Sequence, residues 1–355
     1  MANNQFIEYD FLKLYEQFLK QTLKGYRLQK SGKRIKVSSS QPYVYMKKLL
    51  EDFSEKKTFK LRLRSVNKLG KREIEAEKKY WKTFYKSFTD YLYDDCGCYD
   101  NYVGSNIRRL RTFFNYLNNE KGLNIGNFHK SFYAYNEEIE VITLLQEQLY
   151  FLIYNKEFEE SLPLHLKTTK DIFVFGCTVA LRVSDLLKLS WNNVENINGK
   201  NYLKVTSQKT QTFTQVFLPD YAHAIISKYP KNRKTIFPKI SNARLNKNIK
   251  SLIERTNWTD TRCKTRQKRG VPVPVLKNNK NHEQYRFCDL ITSHTMRRTA
   301  ITTLLCLGTP ENVVRKISGH APNSKEFFKY VEISQKYMDM EAEKAWELLK
   351  SKNIL

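Results

Sequence analysis

"ITSHTMRRTAITTLL", residues 291–305, carries an apolar stripe of Ala300, Ile301, Leu304 and Leu305 at the spacing of a helix with one buried face. One turn upstream the stripe runs into His294, Arg297 and Arg298, where the helix begins. A helix N-terminus already holds roughly half a positive charge, so cations there are disfavoured. They become tolerable when an anion is meant to sit among them, with the helix amides completing the cradle. The stretch therefore predicts a helix packed on a core at its far end and open to an anion at its near end.

The rest of the chain fits that expectation. Its 355 residues are 41% hydrophobic, enough for two domains with cores of their own. Lys and Arg number 62 against 36 Asp and Glu, a formal net charge of +26. Such an excess favours a polyanionic partner, nucleic acid before membrane. No apolar run approaches the ~20 residues of a membrane span, and "MANNQFIEYDF" (1–11) lacks a signal-peptide pattern. Six cysteines without paired spacing beyond "CGC" (96–98), which reads as a loop, point to reduced thiols in a cytoplasmic setting. No phosphate-binding "GxxxxGK[ST]" loop is present.

Outward from the opening helix, the chain divides in two. Up to about residue 125 it is helical and basic, and apolar spacing predicts helices in 6–23, 43–53, 76–94 and 103–122. Charge-dense segments at 24–40 and 56–72 separate them, and the glycines of "KGLNIGNF" (121–128) open a linker. We place a helical domain at 1–135 and a second domain at 136–355. The second begins with a helix over 137–155, where Thr143 precedes the apolar pattern, then a longer one over 170–191 interrupted near Arg182. "NYLKVTSQ" (201–208) and "TFTQVFLP" (212–219) read as a hairpin. The basic stretch 261–286 reads as a loop or frayed strand pair, and helices follow at 310–318 and about 334–350. The expected class is mainly α with a small antiparallel β-sheet.

Four segments place polar residues where a core pattern would have apolar ones. "ALRVSDLLKL" (180–189) sets Arg182 between two apolar runs, with Ser184 able to cap the second and Asp185 beside it. "SQKTQTF" (207–213) puts Lys209 in the hairpin turn. "SHTMRR" (293–298) gives His294 and Arg297 on one helix face. "KISGHAPNSKEFFKYV" (316–331) supplies His320 after a glycine, then Tyr330.

This set, Arg…Lys…His-x-x-Arg…His…Tyr in that order over roughly 140–340, resembles the tyrosine recombinase, or phage integrase, family. The resemblance implies a C-shaped DNA clamp built from an N-terminal helical SAM-like core-binding domain and a catalytic domain. It implies a site-specific recombinase of a phage or mobile element, acting in the cytoplasm on the nucleoid. Its partner would be double-stranded DNA with specific sites, bound by a homo-tetramer, with or without an accessory bending or directionality factor. Guanidinium forks match the oxygens over which a phosphoryl transition state spreads its charge, which is the chemistry for Arg182 and Arg297.

By the same resemblance, Tyr330 attacks the phosphodiester, forming a 3′-phosphotyrosyl bond and freeing a 5′-hydroxyl. Lys209 protonates the leaving oxygen, and His294 assists proton transfer or hydrogen-bonds the phosphate. His320 donates to a non-bridging oxygen, and Asp185 orients Arg182 or His294. The arginines supply the charge that a metal supplies elsewhere, so neither metal nor cofactor is expected. Tyr330 stands ten positions past His320, one beyond the family's usual spacing, and "APNS" (321–324) is expected to hold the extra residue in a loop. Residues 334–355 show Met338, Ala342, Ala345 and Leu349 at helical spacing, for docking on a neighbouring protomer or packing on their own domain. The alternatives are a type IB topoisomerase-like enzyme and a DNA-binding architectural protein without catalysis.

Overall fold

In the computed structural model, which describes residues 7–28, 32, 34–35 and 37–351, the chain opens with β1 (Glu8–Asp10), α1 (Phe11–Leu23), α2 (Val37–Lys56), β2 (Arg62–Arg64) and α3 (Lys71–Asp90). A π-helical turn (Tyr91–Asp95) leads to α4 (Asp100–Asn119). Then come α5 (Gln146–Tyr154), α6 (Lys156–Ser161), α7 (Leu164–Val179) and α8 (Val183–Leu186). They are followed by β3 (Val194–Ile197), β4 (Lys200–Thr206), β5 (Phe213–Phe217), α9 (Asp220–Ser227) and α10 (Asn242–Glu254). Four short strands follow, β6 (Thr261–Arg262), β7 (Thr265–Lys268), β8 (Val271–Pro274) and β9 (Tyr285–Arg286). The chain ends on α11 (Phe287–Leu290), α12 (Ser293–Cys306), α13 (Glu311–Ser318) and α14 (Lys325–Ser351). Contacts divide it into two units, Met1–Ile139 with Lys264–Val275, and Glu140–Cys263 with Leu276–Leu355. The basic run at 24–36 lies partly outside the described residues.

Unit one packs α1, α2, α3 and α4 around an aromatic core. The Asp10 carboxylate starts α1 by accepting the Lys13 amide at 2.9 Å, and Phe11, Tyr15 and Phe18 then fall on one buried face. Phe11 and Tyr15 meet Phe113 edge-on, with ring centroids 5.2 and 4.8 Å apart. Each such pair adds about 0.5–1.5 kcal/mol beyond its buried area. Periodicity finds these helices but not β1 and β2, which pair antiparallel with Tyr9 opposite Leu63. Their signal is ionic: the buried Glu77 carboxylate of α3 holds Arg62 at 2.8 Å and Arg64 at 3.4 Å.

The β7–β8 hairpin also belongs to this unit. Asp100, 1% exposed, accepts the amides of Arg269 and Gly270 at 2.7 and 2.8 Å and the Tyr93 hydroxyl at 2.7 Å. Buried Glu137 accepts Arg266 Nε at 2.7 Å and the Gln267 amide. These donors satisfy carboxylates whose burial would otherwise be costly. The stretch 261–286 thus resolves into two antiparallel pairs, β7–β8 and β6–β9.

In unit two, α7 is buried on nearly every side from Leu166 to Val179, as befits a helix at the centre of a core. Gly176 lets α12 come close: a Cβ there would meet Met296 Sδ at 2.6 Å and Leu186 Cδ1 at 3.1 Å. The expected hairpin is β4–β5, with Leu203 opposite Val216. A third strand, β3, pairs with β4 through Asn198-Gly199 at φ 51° and 78°, a turn dipeptide that tolerates positive φ at both positions.

Three details of the sequence reading need correction. The helix placed at 137–155 begins only at Gln146, whose neighbour Gln148 accepts the Leu145 amide at 3.0 Å. Upstream, Glu137 holds the hairpin and the Leu144 amide donates to Thr299 Oγ1 at 3.0 Å, so this segment forms no helix and Leu145, not Thr143, stands at the N-cap. Ser184 likewise lies inside α8, where Arg182 occupies the N-cap position. The C-terminal helix starts at Lys325, after a turn at 321–324, so Tyr330 sits on it rather than before it. On α14, Met338 and Met340 are exposed, while the side chains of Ala345 and Leu349 lie outside the described residues. Among the described residues no helix is long and apolar enough to cross a membrane.

Candidate active site

Ala180 closes α7 in the left-handed region at φ 55°, turning its carbonyl away from the helix ladder. Arg297, 4% exposed on α12, donates Nη1 to that carbonyl at 2.9 Å. Its Nη2 lies 3.2 Å from His320 Nε2. Gly319 ends α13 at φ 62°, where a glycine is favoured, and delivers His320 to the arginine. The Ser318 hydroxyl donates to the Val314 carbonyl at 2.6 Å and lies 2.8 Å from His320 Nδ1. With its proton committed to that carbonyl, the hydroxyl is free to accept an Nδ1–H, while Arg297 Nη2 lies 3.3 Å from Nδ1 as well as 3.2 Å from Nε2. Burial first, then Arg297, Arg182 and Arg315, push the His320 pKa down to about 4. The ring is neutral at pH 7.

Burial and then Arg182 also push Arg297 down to about 10, while Tyr330, Asp185 and Glu326 act in the opposite sense. Among the described residues Arg297 pairs with no carboxylate; its partners are a carbonyl and an imidazole. Asp185 and Glu326 act on this buried guanidinium only at a distance, so among the described residues no carboxylate touches it. Beside it on α12, Arg298 Nε is buried with no hydrogen-bond partner among the described residues.

Tyr330, 7% exposed, lies in a buried cluster with Phe327, Ala300, Ile301 and Val314, and its ring is 5.9 Å from that of His320. Arg182 Nη1 donates to the Ser207 hydroxyl at 3.0 Å, and that hydroxyl donates to Asp185 Oδ2 at 3.0 Å. Arg182, Asp185, Arg297, His320 and Tyr330 thus come together within unit two. His294 stands exposed at the mouth, where Thr292 caps α12 by accepting its amide at 3.3 Å. Partial loss of water around the ring, then Arg298 and Arg297, hold His294 below the usual imidazole pKa. Lys209 is exposed in the turn between β4 and β5 and joins the group only through its loop. Sequence reading missed Ser207 and Ser318, whose partners lie on other segments or come from a helix end; only their nearness to Lys209 and His320 could have flagged them. Among the described residues no group of three His, Cys, Asp or Glu is placed to hold a metal ion.

A sequence model described as the phage integrase family matches residues 147–336. A search of curated proteins gave no significant match. Among solved structures, the fold is similar to that of the XerH site-specific recombinase bound to palindromic difH substrate in a post-cleavage complex. Identity there is 14% and the TM-score 0.54, over 95% of this chain and 85% of that one. A lambda integrase dimer bound to a COC′ core site matches at 12% identity and TM-score 0.52, over 92% and 77% of the two chains. The Tn1549 transposon integrase in complex with transposon right end DNA matches at 13% and 0.56, over 94% and 100%. At these identities the likeness is one of fold.

Proposed function

Because this chain belongs to the phage integrase family, we propose that it is a site-specific DNA recombinase that cuts and rejoins DNA through a 3′-phosphotyrosyl intermediate. The observation that carries this reading is the buried Arg297, which no carboxylate touches among the described residues, with Arg182, His320 and Tyr330 around it. Two guanidiniums on one spot repel each other unless an anion separates them, and a backbone phosphate matches their forks.

Each residue takes the role that the family resemblance implies. Arg182 and Arg297 hold the non-bridging oxygens and stabilise the charge that develops on them. The Tyr330 oxygen attacks phosphorus and its proton leaves to a base; the P–O5′ bond breaks, and Lys209 protonates the departing O5′. Phosphate charge would raise the His320 pKa and let Nε2 donate to an oxygen in place of accepting from Arg297. His294, at the mouth, assists the proton transfer. The phosphotyrosyl bond keeps the energy of the broken phosphodiester, so attack by a 5′-hydroxyl of a second duplex completes strand exchange without a nucleotide. Integration or excision of a mobile element on specific sites, by four protomers, is the finer form of the proposal, and exposed Met338 and Met340 on α14 offer apolar surface to a neighbour.

Tyr330→Phe tests it. The variant is expected to bind duplex DNA with unchanged affinity and to form no covalent complex on a nicked suicide substrate. A covalent complex formed by the phenylalanine variant would refute the assignment. Relaxation of supercoiled plasmid without recombinant products would replace it with a topoisomerase reading.

A further inference from the structure

We infer that Ser207 is a positioning residue, the junction that ties the Arg182 guanidinium to the loop carrying Lys209; the inference rests on the recombinase reading above. Ser207 is 6% exposed at the foot of the β4–β5 turn. A guanidinium can only donate and a carboxylate can only accept, while a hydroxyl does one of each. A single orientation of the Ser207 hydroxyl therefore satisfies both Arg182 Nη1 and Asp185 Oδ2, each at 3.0 Å.

The other end of Asp185 grips the loop. Asp185 Oδ1 accepts the Gln208 amide at 3.2 Å, and Gln208 Oε1 accepts Lys188 Nζ at 2.8 Å. The turn closes through Ser207 N–H to the Thr212 carbonyl at 2.9 Å and Gln211 N–H to the Ser207 carbonyl at 2.8 Å. Lys209 thus sits two positions from a side chain that holds the arginine. Arginine and general acid come from different segments, and this serine registers one against the other. Its most direct partner is the guanidinium, so its loss acts first on phosphate binding in the transition state.

The test uses the full chain and the isosteric pair Ser207→Thr and Ser207→Val, which differ only in the hydroxyl. Single-turnover formation of the covalent complex is followed on a nicked suicide duplex, with oxygen or sulfur at the bridging 5′ position. A thiolate leaves without a proton donor, so sulfur restores a variant that lacks its general acid but not one with a misplaced arginine. Ser207→Val is expected to be roughly 10- to 100-fold slower than Ser207→Thr on both substrates, the scale of a small misplacement of a reacting group. DNA affinity and melting temperature should match between the two, and Ser207→Ala takes the place of the valine variant should that one fail to fold. Equal rates for the pair, or full restoration of Ser207→Val by sulfur, overturn the inference alone. A wild-type chain that forms no covalent complex on either substrate overturns the proposed function and, with it, this role.

Discussion

Replacing Arg297 by glutamine is expected to stabilise the DNA-free protein while abolishing its chemistry. Burial and then Arg182 oppose the guanidinium's charge and pull its pKa down to about 10, well below the ordinary arginine value. At about 1.4 kcal/mol per pKa unit, holding that charge costs about 3 kcal/mol. The sign is that of a base whose pKa is lowered on folding: the folded chain binds the proton more weakly than the unfolded one. The penalty is therefore in full force at every pH below about 10 and lifts only as pH rises from there towards the ordinary arginine value. Against this stands the 2.9 Å bond to the Ala180 carbonyl, worth about 1.5–3 kcal/mol as a charge-assisted bond, part of which the glutamine amide can keep. The net gain is about 1 kcal/mol, or an upward shift of about 2–4 °C in the melting of a unit of this size. Scanning calorimetry without DNA reads the shift, and cleavage should fall by at least about 10²–10³. Inorganic sulfate should raise the melting temperature of the wild type and leave the variant unmoved. A variant that melts several degrees lower without DNA refutes the idea that this arginine waits for an anion.

Other perturbations separate the parts of the site. Lys209→Ala, at an exposed turn, should leave the melting temperature within about 1 °C yet slow cleavage roughly 10²- to 10⁴-fold, with bridging sulfur restoring the rate. His320 and His129 are both pushed down to about 4, chiefly by burial, so both are neutral in the folded chain near neutral pH. Their stability contribution is intact above 6.5 and is lost as pH falls from 6.5 towards 4, by up to about 3 kcal/mol each. Urea unfolding across that window checks it, and a flat profile contradicts it. Asp100→Ala removes the acceptor of two hairpin amides and the Tyr93 hydroxyl. It should cost at least about 2 kcal/mol and raise proteolytic cutting within 264–275 more than tenfold.

The parts of this fold that repeat were legible and the parts made by single long-range bonds were not. Helices α1, α3 and α4 show in the apolar period because each buries one face, whereas α12 is buried on most sides and shows only in its stretch from Ala300 to Leu305. The residues proposed for the site were legible because Arg182, Arg297 and His320 interrupt that period where core residues are due. Nothing periodic marks Glu77 pairing with β2, or Asp100 and Glu137 gripping β7–β8 from far along the chain. The late start of α5 has the same cause, since the Leu144 amide is claimed by Thr299, far downstream. Ser207 was unreadable for a related reason: its identity matters through two partners, and the sequence places neither beside it.

The capture of residues 264–275 by unit one bears on how the protein is made. On the ribosome, unit one lacks its final hairpin until Val275 has emerged, by which time the stretch from Glu140 to Cys263 has already been synthesised. At about 5–20 residues per second, Asp100 and Glu137 wait on the order of ten seconds for their donors. A fragment cut after Ile139 never receives them, which leaves Asp100 with the Tyr93 hydroxyl and strips Glu137 of the Arg266 and Gln267 donors. Expressing this unit alone should therefore require the hairpin grafted back onto its end.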